Sequence, residues 1–180
     1  MRSWRSAGTS YGVRLYIMRH GPAEDRAASG RDFDRALTAS GRDRVKDVAR
    51  ALLDGDEEPY VILSSPLVRA LQTAEIVAAS TKLGDRGGLV EVRSALEPGG
   101  DTRALVKECL GGAAKRVMLV GHEPDLSDLA ELLAGRRFPA GLQKAMVVGV
   151  ATHEKDPQTL PMRLRFILDP KSLEWGHDAR

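Results

Sequence analysis

The sequence predicts an α/β fold, a three-layer α/β/α sandwich in which a mostly parallel sheet carries a late antiparallel strand. Two observations predict it. Short β-rich apolar runs alternate with amphipathic stretches in the order β-α-β-α-β-α-β-α, and parallel neighbours need such crossovers. The chain then closes with two apolar runs around a polar, hairpin-like segment holding Pro157 and Pro161, so at least one late strand runs antiparallel.

"VRLYIMR" (13–19) is β-rich and apolar and reads as the first strand, and the polar segment from 21 to 37 reads as a loop. Thr38 can cap the first helix, where Val45, Val48, Ala49 and Leu52 recur at helical spacing until Gly55 offers a stop. "YVILS" (60–64) is a second strand. Pro66 sits at what reads as the first helical position, where a missing N–H is tolerated, and opens "LVRALQTAEIVAAS". "GLVEV" (88–92) is a weaker strand, "EPGG" a loop, and "DTRALVKECLGG" a helix capped by Asp101. "RVMLVGH" and "PDLSDLAELLAG" repeat strand and helix, and "AMVVGVA" (145–151) and "MRLRFIL" are the closing strands. The expected organisation is a flexible N-terminal extension over 1–12, a single domain over 13–170 and a tail over 171–180.

A chain of 180 residues with 42% hydrophobic content can bury one core but is short for two ordinary domains. Its net charge of +2, with both signs interspersed, offers no field for nucleic acid or an anionic membrane, so any anion site must be local. Cys109 is the single cysteine, which excludes an intramolecular disulfide and a multi-cysteine metal cluster and is compatible with a reducing cytosol. No apolar run approaches the roughly 18 residues of a membrane span. "MRSWRSAGTSYG" also lacks the apolar segment of a secretory signal. The expectation is a cytoplasmic monomer.

In such a sheet, ligands sit outside the carboxyl ends of the strands. Arg19 and His20 follow the first strand, "SSPLVRALQT" sets Arg69 on the first turn of a helix after the second, and "VGHEP" places His122 after the fourth. Two arginines and two histidines therefore converge on one edge beside helix N-termini, which is an anion pocket. His153 and His177 lie in a late loop and the tail, with nothing to bring them there.

At this point the chain resembles the histidine phosphatase superfamily, with its phosphoglycerate mutase-like fold, and most closely the small SixA-type phosphohistidine phosphatase branch. "IMRHG" matches the Arg-His-Gly motif, "RALTASG" resembles the Arg-x-Leu-Thr-x-x-Gly segment, "SSPLVRALQTAEI" matches the second-arginine helix and "VGHEP" the second-histidine turn. The match spans about 13–150, with four segments in order on the right elements.

The resemblance implies a metal-independent phosphatase without cofactors, and the chemistry of the residues agrees. A neutral His20 can attack phosphorus, giving a phosphohistidine that water hydrolyses. Arg19 and Arg69 can hold the phosphoryl oxygens bidentately, and His122, cationic beside a dianion, adds a further donor. Thr38 reads as the helix cap, while Arg35 either touches substrate or ties its loop down. Larger superfamily members place a carboxylic acid near the pocket to protonate the leaving oxygen. Here "SALEPGGD" offers Glu97 and Asp101 without a clear match, and Asp101 has the competing duty of capping a helix. Glu97 is the candidate acid. An imidazole leaving group departs already protonated and needs a weaker acid than an alkoxide does.

The expected substrate is phosphohistidine in a protein, because too few residues separate Glu97 from His122 for a lid domain. A phosphatase for small phosphomonoesters, and a non-catalytic phosphate- or phosphoprotein-binding module, are the alternatives. A nucleotide-binding Rossmann module is disfavoured, since "RHGPAE" lacks the glycines that bring backbone against a pyrophosphate.

Overall fold

In β1 (Arg14–Arg19) every side chain but the last is buried, and the period of two divides them between two layers. Leu15 and Ile17 join a core with Leu105, Val106, Leu126 and Leu129, while Tyr16 and Met18 join a second with Val45, Leu52, Ala70 and Val77. Burial on both faces is why the run is continuously apolar rather than alternating.

The computed structural model describes residues 12–153 and 156–176. Helices α1 (Ala39–Asp54) and α2 (Val68–Ser80) supply the second of these cores. Helices α3 (Thr102–Gly111) and α4 (Asp125–Ala134) supply the first. The sheet between them also holds β2 (Val61–Ser64), β3 (Leu89–Val92), β4 (Arg116–Gly121), β5 (Val147–Ala151), β6 (Arg163–Leu168) and β7 (Trp175–Gly176). Its order is β3-β2-β4-β1-β5-β6-β7. The pairs β3–β2, β2–β4 and β4–β1 are parallel, and β1–β5, β5–β6 and β6–β7 are antiparallel. This is the expected sandwich, with the antiparallel half reaching one strand further.

α1 forms as its sequence dictates. The Thr38 hydroxyl accepts from the Gly41 amide at 3.0 Å, and Val45, Val48, Ala49 and Leu52 are fully buried. Position 41 requires glycine because a Cβ there would stand 2.0 Å from the Pro22 carbonyl oxygen. At the opposite end of the sheet from the carboxyl ends, Glu57 accepts from Arg14 at 3.2 Å, from the Tyr16 hydroxyl at 3.0 Å and from Arg165. Burial, then Glu57, pushes the Tyr16 hydroxyl well above its ordinary value, so the phenol stays protonated and donates.

Three local expectations need correction. α2 begins at Val68 with extended Leu67 as its N-cap, so Pro66 precedes the cap instead of opening the helix. The segment 21–37 contains a 3-10 turn at Asp32–Asp34, and its base is closed by a bridge between Ala23 and Leu37. The chain from 171 to 176 is docked rather than a tail. Trp175 meets Phe166 edge-on at 4.7 Å and Asp169 caps the turn by accepting from the amides of Lys171 and Ser172. The rest of the expected tail, with His177, and the extension up to residue 11 lie outside the described residues.

Candidate active site

Because β4 lies between β2 and β1, the carboxyl ends of these three strands are adjacent. The His20 amide donates to the Gly121 carbonyl at 3.1 Å and the Ser65 amide to the Val120 carbonyl at 3.0 Å. From the other side the Ala145 amide lies 3.1 Å from the carbonyl oxygens of both Arg19 and His20. Backbone bonds therefore fix the starting points of the site before any side chain is considered.

His20 is buried, and its Nδ1 lies 2.8 Å from the Gly21 carbonyl oxygen. A carbonyl only accepts, so Nδ1 carries the proton and Nε2 presents a lone pair. Gly21 holds this geometry because its amide donates to the Thr73 hydroxyl at 3.0 Å, while a Cβ would stand 2.6 Å from Val45. Burial, reinforced by His122, Arg69 and Arg19 against the opposing Gly21 bond, pulls the ring down to about 3. His20 is therefore a neutral base with its reactive nitrogen unprotonated at neutral pH.

The His122 ring stands 5.1 Å from that of His20, centroid to centroid. Its Nε2 lies 2.8 Å from the hydroxyl of Ser65, which already accepts from the Leu67 amide at 3.3 Å. The acceptor available to that buried hydroxyl proton is Nε2, so we assign the ring proton to Nδ1. Nδ1 is buried without a hydrogen-bond partner among the described residues. Burial, then Arg69, pulls this ring down to about 4, with Asp32 and Asp125 opposing. The expected cationic His122 thus requires an added dianion, and in the free protein the ring is neutral.

The two arginines are held differently. Arg19 donates from Nη1 to the Leu142 carbonyl at 2.7 Å, and its Nε is buried without a partner among the described residues. Arg69, almost wholly buried, donates from Nε to His20 Nε2 at 3.3 Å, from Nη1 to the Asp32 carbonyl at 2.8 Å and from Nη2 to the Asp32 carboxylate at 2.9 Å. The other Asp32 oxygen accepts from Arg35 Nη1 at 2.8 Å, and Arg35 Nε donates to the Glu24 carbonyl at 2.6 Å. Arg35 therefore does tie its loop down, and it does so next to Arg69.

Glu97 ends the 3-10 turn Ser94–Leu96, and this stretch borders Gly121, where a Cβ would stand 3.2 Å from the Leu96 carbonyl oxygen. Among the described residues its carboxylate makes no hydrogen bond or ion pair with Arg19, His20, Arg69 or His122. Asp101 caps α3, accepting from the Ala104 amide at 2.9 Å. His153 is exposed beside the Pro161 carbonyl, away from these groups. Sequence reasoning missed Ser65 and Asp32, since a serine before a proline and an aspartate in a polar loop are ordinary local features. It also missed Glu123, which accepts from Ser127, while the Ser127 hydroxyl in turn accepts from the Leu142 amide and so steadies the anchor of Arg19.

A neutral imidazole nitrogen with Arg69 Nε on it, and with Arg19 and His122 near enough to lower its pKa, can attack a tetrahedral oxyanion centre while its oxygens are hydrogen-bonded. Among the described residues no group of three or more His, Cys, Asp or Glu side chains is arranged to hold a metal ion. No described helix is long and apolar enough to cross a membrane.

Known proteins resemble this chain in sequence and fold. The chain is 38% identical over 143 residues to an uncharacterized protein of Picosynechococcus, covering 77% of this chain and 84% of the relative. It is 34% identical over 131 residues to the phosphohistidine phosphatase SixA of Escherichia coli, covering 71% and 78%. Its fold superimposes on the structure of the protein histidine phosphatase SixA complexed with tungstate with a TM-score of 0.76 at 27% identity, covering 90% of this chain and all of that one. The profile of the histidine phosphatase superfamily (branch 1) matches residues 15–96, the stretch that holds both arginines and the first histidine. On this agreement of sequence and fold, the chain belongs to the histidine phosphatase superfamily.

Proposed function

We propose that the protein is a metal-independent phosphatase that removes the phosphoryl group from phosphohistidine in proteins by way of a phosphohistidine on His20. The observation that carries the reading is His20, whose Nδ1 meets the Gly21 carbonyl so that Nε2 is left unprotonated, in one site with Arg19 and His122, each of which has a buried donor without a partner among the described residues. His20 Nε2 forms a bond to phosphorus as the bond from phosphorus to the substrate imidazole breaks, and the leaving nitrogen keeps that electron pair. Water then attacks the phosphoenzyme, His20 Nε2 departs with its lone pair, and inorganic phosphate results. Arg19 and Arg69 bind the phosphoryl oxygens and supply the positive charge for both steps. His122 donates from Nδ1, and as the dianion binds it favours the protonated ring.

Two considerations support the protein phosphohistidine substrate over small phosphomonoesters. The relatives at 34% and 27% identity bear the names phosphohistidine phosphatase and protein histidine phosphatase, the latter holding tungstate, an oxyanion of phosphoryl shape. Among the described residues the carboxylate bonded to the four pocket residues is that of Asp32, which Arg35 and then Arg69 hold below the ordinary carboxylate range and so keep from donating a proton to an alkoxide, and an imidazole leaves without that help.

A rapid-quench experiment with a 32P-labelled phosphohistidine protein tests the reading. Labelled wild-type enzyme should appear with an acid-labile, alkali-stable bond, turnover should survive exhaustive chelation, and His20→Ala should abolish both label and turnover while remaining folded. An active His20→Ala enzyme, or activity lost on chelation and restored by a divalent ion, would sink the mechanism. Preference for alkyl phosphates would move the substrate to the small-phosphomonoester class, and binding without turnover would leave a phosphate-binding module.

A further inference from the structure

Arg69 and Arg35 are the donors that an incoming anion would seek, yet in the free protein one carboxylate already bridges them. Asp32 lies 2.9 Å from Arg69 Nη2 through one oxygen and 2.8 Å from Arg35 Nη1 through the other. Its backbone carbonyl takes Arg69 Nη1 at 2.8 Å. The pair is asymmetric: the Arg69 side chain is 7% exposed and that of Asp32 61%, so the carboxylate is the partner free to leave.

The segment that carries Asp32 is built to give way. The turn Asp32–Asp34 contributes no residue to the core, and Phe33 is 45% exposed. Its remaining side-chain ties are surface bonds from Ser29 and Arg31 to Asp34. The base is anchored separately, where the Glu24 amide donates to the Ala36 carbonyl and the Leu37 amide to Gln72. The tip can therefore move on a fixed base.

We infer that Asp32 is a specificity-determining residue whose carboxylate competes with anions for Arg69 and Arg35, so that weakly held anions such as free phosphate are kept out of the pocket. The inference rests on the phosphatase reading of the site. A dianion on the Arg69 fork meets the Asp32 carboxylate on the same guanidinium, and must either drive it away or be bound less tightly. A phosphoryl group delivered on a protein has additional contacts to offset this, whereas inorganic phosphate does not. Product phosphate is then released readily.

Calorimetric titration of the full-length protein with inorganic phosphate and with orthovanadate tests this. Asp32→Asn and Asp32→Ala should each tighten both anions by about five- to tenfold and lower KM, as expected for removing a partly exposed like charge near the ligand. Asp34→Asn, which makes the same charge change on the same turn without touching Arg69, should stay within about twofold. Unchanged or weaker binding in both Asp32 variants with native near-UV circular dichroism, or equal tightening in Asp34→Asn, overturns the inference alone. Failure of the wild-type protein and of both Asp32 variants to bind either anion would remove the phosphatase reading and this inference with it.

Discussion

Arg69 donates from Nε to Nε2 of His20 across 3.3 Å, so the guanidinium that would hold a phosphoryl oxygen first holds the lone pair that would attack it. Burial keeps the His20 ring neutral and the contact with Arg69 adds to this; on the proposed mechanism the contact would break as the nitrogen turns to phosphorus, and Arg69 Nε would pass to a phosphoryl oxygen.

Arg69→Lys should therefore lower kcat/KM by about 100-fold or more, because an ammonium supplies charge but neither the fork nor the Nε–H directed at His20. Steady-state kinetics check this against an unchanged melting temperature. A loss below fivefold would mean that charge alone suffices.

Ser65→Ala should lower kcat by about tenfold or more, by analogy with other residues that orient an active-site histidine from behind. The hydroxyl 2.8 Å from His122 Nε2 holds the proton on Nδ1. Nitrogen-15 shifts of the His122 ring should report the Nδ1–H tautomer in the wild type and a mixture in the variant. An unchanged tautomer with unchanged kcat would remove the role.

Stability should fall as the solution is acidified below the ordinary histidine range. The folded-state values of His20 and His122 are depressed to about 3 and about 4 from 6.5, so below 6.5 the unfolded chain binds protons that the folded one refuses. The contribution is complete above 6.5 and is lost progressively as pH falls toward the folded values. Each ring should cost about 1 kcal/mol at pH 5.5. Urea titrations at pH 7.5 and 5.5 should show a smaller loss for His20→Asn than for the wild type, and equal losses would contradict the shift.

Glu97→Gln and Asp101→Asn should each retain most phosphohistidine hydrolysis, since neither carboxylate is bonded to the pocket arginines or histidines. If Glu97 does serve as an acid, alkyl phosphates should suffer selectively, by about 100-fold. Asp101→Asn should change stability little, because asparagine caps a helix about as well as aspartate. Equal, large losses on both substrate classes in Glu97→Gln, with folding intact, would place Glu97 in the core machinery.

What was legible in the sequence was local in origin. The buried face of α1 follows from a 3.6-residue period, its start from the Thr38 hydroxyl and the Gly41 amide three positions away. Arg19, which ends β1, and His20 after it stand out because polar groups at the end of a doubly buried strand have no packing reason to be there. The 3-10 turn at Asp32–Asp34 left a weaker trace because Arg69, which holds it, is distant in the chain, and the strand Trp175–Gly176, paired with nearby Ile167 and Leu168, is too short to show a period.

The sequence by itself determined the alternation of strands and helices, the caps, and which residues reach the edge of the sheet. Only the tertiary structure decided the chemical state of those residues. Ser65 meets His122 across 57 positions, Arg69 meets Asp32 across 37 and His20 across 49. A ring's tautomer follows from which acceptor lies next to each nitrogen, and its charge from how much water its surroundings exclude. Both are properties of the packed neighbourhood, which spacing along the chain does not encode.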